Sequence, residues 1–140
     1  MSLLLDTNVV IDLARGRSAD VRARLRDALE RGETIWVSAI VLYEFWYGAA
    51  RSVRRREHEE WIRTFLSGDI EVAAFEGEDA MAAGALRAEL EALGSPIGPY
   101  DLLIAAQALR LGATLVTANV GEFSRVSGLE WADWSEAPKP

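Results

Sequence analysis

A chain of 140 residues, half of them hydrophobic and 26% charged, can bury one core and is too apolar to stay disordered, so one domain over residues 1–134 with a short polar tail over 135–140 is expected. Having no cysteine excludes a disulfide framework and a thiolate metal site, no apolar run is long enough for a membrane span, and the N-terminal one meets Asp6 too soon for a secretory signal, so a cytoplasmic location is expected. A net charge of −7 argues at first sight against nucleic acid, whose phosphates are met mostly by Lys and Arg.

Leu3-Leu4-Leu5 reads as a buried strand ending at Asp6, after which Val9, Val10 and Leu13 continue at helical spacing as far as Gly16. Val21, Leu25, Ala28 and Leu29 mark one face of a second helix, with Arg22, Arg24 and Arg26 on the other and Gly32 as its stop. Ile35-Trp36-Val37 is a second strand, and Ser38 is a suitable cap for a helix from Ala39 to about Ala50 that is apolar almost all round. A charged stretch from Arg51 to Glu60 precedes a helix buried through Trp61, Ile62, Phe65 and Leu66, and Ile70, Val72 and Phe75 alternate as a half-buried strand does. Leu86, Leu90 and Leu93, with Ala82 and Ala83, form a helical stripe ending at Gly94. An irregular Gly/Pro loop follows, then a helix that starts near Asp101 and stops at Gly112. Thr114-Leu115-Val116-Thr117 is the clearest strand, and Leu129 to Trp131 suit a last edge strand. Short apolar strands alternating with helices imply an α/β/α sandwich around a mostly parallel sheet of four to five strands.

In such sheets the functional crevice lies beyond the carboxyl ends of the strands. Asp6 and Asn119 stand just after the first and fourth expected strands, Glu44 one turn into the helix after the second, and Asp101 at the start of the helix leading to the fourth. Asp6 and Asp101 each have an ordinary reading as helix caps. Glu44 does not, because its neighbours from Ala39 to Tyr47 are apolar or aromatic and no Lys or Arg lies within one turn. A carboxylate there needs a proton, a distant partner or a cation. Three acids with one His and no Cys point to a hard cation such as Mg²⁺ or Mn²⁺ and away from zinc.

Leu4-Leu5-Asp6-Thr7-Asn8-Val9-Val10, the Ser38 to Gly48 segment with Glu44, Asp101-Leu102-Leu103-Ile104-Ala105-Ala106-Gln107-Ala108 and Leu115-Val116-Thr117-Ala118-Asn119 together resemble the PIN-domain ribonucleases. Among these the chain most resembles the VapC-type toxins of bacterial toxin–antitoxin pairs, with the motifs in the family's order from Leu3 to Trp134. The resemblance implies a PIN-like sandwich and a metal-dependent endoribonuclease in which Asp6, Glu44 and Asp101 match the acidic positions. One or two Mg²⁺ ions would activate a water for in-line attack on the scissile phosphate. It also implies a cognate antitoxin and a homodimer, and five Trp residues fit an aromatic interface. The fourth acidic position departs from the family, since Asn119 stands where many members have Asp, with Glu122 three residues on. Thr7 and Thr117 match hydroxyl positions near the family's site.

The cations are unevenly spread: residues 1–63 hold 11 of the 15 bases against 10 acids, and residues 64–140 hold 4 against 12. Arg15, Arg17 and the arginines of 54–56 suit RNA phosphates or a surface salt-bridge network equally well. His58, in the same charged run, reads as part of a solvated helix face. Tyr43, Trp46 and Tyr47 read as core or dimer interface more readily than as base-stacking groups. Two other functions are open. A phosphatase with Asp6 as nucleophile would normally carry a second Asp at position 8, which is Asn. A catalytically weak or inactive PIN-fold protein acting as a binding or regulatory partner is consistent with Asn119.

Overall fold

The structure is a computed structural model, and it describes residues 1–135. The tail expected over 135–140 therefore lies, apart from Ser135, outside the described residues. Five strands, β1 (Ser2–Leu5), β2 (Thr34–Ser38), β3 (Ile70–Ala73), β4 (Thr114–Val116) and β5 (Trp131–Ala132), form one sheet in the order β3-β2-β1-β4-β5. All four pairings are parallel, with Leu4 opposite Trp36 on one side and Leu115 on the other.

Seven helices connect the strands: α1 (Thr7–Arg15), α2 (Ala19–Glu30), α3 (Ala39–Arg51), α4 (Arg55–Leu66), α5 (Gly77–Ala92), α6 (Pro99–Leu111) and α7 (Val120–Phe123). Right-handed crossovers put α1 to α4 over one face of the sheet and α5 to α7 over the other. The packing agrees: α1 meets α2, α3 and α4, whereas α5 meets α6, and α6 meets α7. Both faces of the central strand are thus covered, and Leu4 and Leu5 of β1 are fully buried with Ile35 and Val37 of β2 and Leu115 and Val116 of β4. Each such side chain contributes roughly 1.5–3 kcal/mol relative to exposure.

Local chemistry sets the helix ends near the sheet's carboxyl edge. Asp6 caps α1 through its side chain and Ser38 caps α3 through its hydroxyl. Pro99 occupies the first turn of α6, where its missing N–H costs nothing, while at the opposite edge, just before β4, Gly112 ends that helix at φ 61°, a left-handed conformation that favours glycine. No helix among the described residues is long and apolar enough to cross a membrane.

Four expectations are corrected. β3 does not alternate: Val72 is 46% exposed and Phe75 lies beyond the strand, because β3 is the sheet edge and its side chains are only partly covered. The buried face of α5 steps through Asp79, Ala83, Leu86 and Leu90, leaving Ala82 exposed and Leu93, at the helix end, 69% exposed. The last strand is Trp131–Ala132, starting two residues later than expected. α3 is not buried all round, since Tyr43 and Tyr47 face outward.

Candidate active site

The sheet order reverses direction between β1 and β4, and the first residues beyond those two strands face each other there. Asp6 leaves β1 with its N–H donating to Val116 O at 2.9 Å. Asp6 is almost wholly buried, and its two carboxylate oxygens are divided: Oδ1 accepts from Thr7 N (2.8 Å) and Oδ2 from the buried Thr117 hydroxyl (2.8 Å). Burial pushes the Asp6 carboxyl above its ordinary range, against these two bonds, and the nearby Glu122 charge adds to the rise.

Glu44 comes in from α3. Its Oε1 accepts from Thr7 Oγ1 at 2.8 Å, so Thr7 serves both acids, through its N–H to Asp6 and its hydroxyl to Glu44. No ion pair to Glu44 occurs among the described residues. Burial again raises its pKa, and the charge on Asp6 adds to the rise.

Asp101 is the third residue of α6, and its side chain makes no capping bond. Its helix-cap reading is therefore corrected: Pro99 has already begun the helix, so the carboxyl is free to turn to the cleft. Burial, a hydrogen bond with Glu122 and the charges of Asp6, Glu122 and Glu44 push Asp101 up to about 8. Glu122 moves the other way, below its ordinary range, because Asp101 supplies the hydrogen bond and Asn119 and Gly98 N–H donate as well. Asn119 Nδ2 reaches both carboxylates, Asp101 Oδ2 at 3.2 Å and Glu122 Oε2 at 2.9 Å. Its own N–H donates to Thr117 Oγ1 at 2.9 Å.

Asp6, Glu44, Asp101 and Asn119 thus line one cleft, whose rim carries the exposed rings of Tyr43, Tyr47 and Tyr100. Glu122 joins behind Asp101 and Asn119. The oxygen-only donor set and the raised acid pKa values suit a divalent hard cation, which would relieve the charge the cleft concentrates. Among the described residues no three acidic side chains stand close enough to grip one ion as they are. The donors fit in kind and in convergence on one cleft, and their ligand geometry is not formed.

The PIN domain family matches residues 3–129, which is nearly the whole chain. The chain belongs to the PIN-domain family. Its relatives are similar over almost their full length. It is 37% identical to the tRNA(fMet)-specific endonuclease VapC of Shigella flexneri, over 96% of this chain and 99% of that protein. It is 36% identical to ribonuclease VapC2 of Rickettsia felis, over 97% and 100%. A crystal structure of VapBC2 from Rickettsia felis bound to a DNA fragment from their promoter contains a chain that superposes with TM-score 0.88 at 35% identity, covering 96% of this chain and 99% of that one. The parallel sheet flanked by helices is the PIN-like α/β/α sandwich expected from sequence.

Three features of this PIN domain escaped sequence reading. Gln107 is fully buried and ties the ends of two strands to α6, accepting from the Ser38 hydroxyl and donating to Ala73 O (3.1 Å) and Ala74 O (3.3 Å). A lone amide in the apolar run from Leu102 to Leu109 was its signal. Gly98 brings the backbone close to the acids, since a Cβ there would lie 3.4 Å from Asp101 Oδ2 and 3.8 Å from Glu122 Oε2. Of the core and interface readings of the aromatics, core holds for Trp46, which packs against it, whereas Tyr43 and Tyr47 are 53% and 55% exposed and are not core. His58 is also corrected: it is half-buried, edge-on to Phe45 at 6.4 Å between ring centroids.

Proposed function

We propose that this PIN-domain protein is a metal-dependent endoribonuclease, the toxin of a toxin–antitoxin pair, using Mg²⁺ or Mn²⁺ at a site built from Asp6, Glu44 and Asp101. The observation that carries the reading is the convergence of these acids, from three separate elements, on one cleft at the switch point of the sheet. Relatives similar over their full length are named as endonuclease or ribonuclease VapC, and RNA hydrolysis is the reaction such a cleft serves.

A bound divalent cation supplies the Lewis acidity that activates water and offsets charge developing on the phosphate. Asp6 would be the most rigid ligand, since Thr7 N–H and the Thr117 hydroxyl hold its carboxylate from two sides. Glu44, hydrogen-bonded by the Thr7 hydroxyl, would orient metal or water beside it. Asp101 must shed the proton it shares with Glu122 to act as a ligand. Asn119 takes the place of a fourth acid in the cleft but acts as a donor to Asp101 and Glu122, so Glu122 supplies the fourth carboxylate from behind. Thr7 and Thr117 are positioning residues.

The partners follow from the relatives. On this reading the chain binds a small antitoxin, encoded next to it, that covers its acidic cleft. We place it in the cytoplasm, where its RNA is. For a homodimer four of the five tryptophans no longer speak: Trp36, Trp46 and Trp61 pack on the chain's own core and Trp134 is part of it, whereas Trp131 is 39% exposed. Trp131 and the exposed Tyr43, Tyr47 and Tyr100 are aromatic surface such an interface has available, and sedimentation at low micromolar concentration decides it.

Incubating the purified, partner-free chain with structured RNA in Mg²⁺ or Mn²⁺ tests the enzyme reading. Internal cleavage that stops in EDTA is expected. Intact RNA with both metals, from folded protein, refutes it.

A further inference from the structure

The acidic cleft cannot itself attract an RNA backbone, so affinity has to come from cations beside it. α1 runs from the cleft at Thr7 to Arg15, about 12 Å at 1.5 Å per residue, and a continuous groove follows it. Ile11 and Glu44 line both the cleft and the middle of this groove, between α1 and α3. Arg15, Ser52 and His58 line both that middle part and its far end, where Arg17 and Arg54 also stand.

Arg15, Arg17 and Arg54 are exposed, and none has a carboxylate partner among the described residues. One acid, Glu57, faces the same end. The groove beside α2 offers a contrast: Arg22 and Arg26 there are matched by Glu30 and Asp69. Three cations against one acid, in a protein of net charge −7, thus concentrate positive charge at the outlet of a groove that leads from the acids. Such a focus of one sign steers an anionic chain.

We propose that Arg15, Arg17 and Arg54 form a phosphate-binding track that holds the single-stranded RNA backbone a few nucleotides from the cleaved bond. This rests on the ribonuclease reading for its purpose, but the contact itself is a property of the groove. The arginines act by charge at the backbone and carry no base sequence information. They set KM, while the acids set the rate of the bound complex.

The test is binding of a fluorescein-labelled, single-stranded RNA of mixed sequence to the full chain in EDTA, followed by anisotropy at 50 and 200 mM salt, with cleavage kinetics in Mg²⁺ alongside. Three proteins are compared with wild type: Arg15→Ala/Arg17→Ala/Arg54→Ala, the same triple change to Lys, and Arg22→Ala/Arg26→Ala. Each exposed-strand phosphate contact carries a salt slope of about 0.7, so the alanine triple should lose about 2 from the slope and bind roughly a hundredfold more weakly at 50 mM, a gap that narrows at 200 mM. Its KM should rise by a similar factor. The lysine triple should keep most of the affinity, and the α2 pair should match wild type. Should the alanine triple fail to fold, Arg17→Ala and Arg54→Ala singly should each weaken binding about fivefold at 50 mM. If wild type binds but does not cleave while the triple loses binding, the track stands and the ribonuclease reading falls. Wild-type-like binding by the alanine triple, an equal loss in the α2 pair, or no RNA binding by wild type overturns the track; the first of these leaves the groove to a protein partner.

Discussion

Asp101 and Glu122 share one donor, the Asn119 amide, whose Nδ2 lies 3.2 Å from Asp101 Oδ2 and 2.9 Å from Glu122 Oε2. Burial first, then Glu122, push Asp101 up to about 8, while Glu122 is held below its ordinary range, so a proton taken up by the pair belongs with Asp101. Two carboxylates so close cannot both be charged cheaply without a cation.

Metal binding near neutral pH must therefore expel that proton. Apparent Mg²⁺ or Mn²⁺ affinity should climb as pH rises from about 6 to about 8 and level off above. Calorimetric titration in two buffers of different ionisation enthalpy measures the released proton directly. Proton release of zero at pH 7 would show that Asp101 is already ionised.

The same shift makes the metal-free protein more stable in mild acid. Asp101 rises in the folded state above its ordinary 3.8, so the folded chain keeps a proton that the unfolded chain has lost. The stabilisation linked to that proton is full below about 4 and disappears as pH passes about 8. Asp6 and Glu44, also raised, act in the same direction. Thermal unfolding in EDTA should give a Tm that falls from pH 5 to pH 9, and Asp101→Asn should flatten the fall.

Thr117→Val keeps the shape but leaves Asp6 Oδ2 and Asn119 N without their hydroxyl partner in a buried setting. Urea unfolding should show a loss of about 1–3 kcal/mol, and cleavage should drop with it. Thr117→Ser, which restores the hydroxyl, should recover most of both.

Asn119→Asp exchanges a donor to two carboxylates for a third negative charge. Loss of a hydrogen bond to a charged group costs about 1.5–3 kcal/mol, so the variant should unfold earlier than wild type in EDTA. Saturating Mg²⁺ should erase most of the difference, because the new carboxylate strengthens the cation site. Equal destabilisation with and without metal would remove Asn119 from the site.

The sequence carried the sheet and three of the acids because both follow local rules. Asp6 stands where an apolar strand ends, and Glu44 stands out as one charge in an apolar helix. Asp101 was less clear, since a helix-cap role and a site role place Asp at the same point; Pro99 two residues earlier is what separates them. Glu122's place beside Asp101 was out of reach, because it depends on how α7 turns back toward Gly98, whose N–H donates to Glu122 across 24 residues. The Ser38–Gln107 bond spans 69 residues and is equally invisible to periodicity. That Tyr43 and Tyr47 are not core was equally hidden, because apolar spacing says which side chains avoid water on average, not which ones rim a cleft.

Single-turnover cleavage of RNA by Asp101→Asn, with metal binding measured on the same protein, tests the acidic site most directly. The account predicts a folded protein whose Tm at pH 8 equals or exceeds that of wild type, with weakened Mg²⁺ binding and cleavage reduced by at least about a hundredfold, the scale expected for loss of a group that acts in the transition state. Cleavage at the wild-type rate by Asp101→Asn would contradict it.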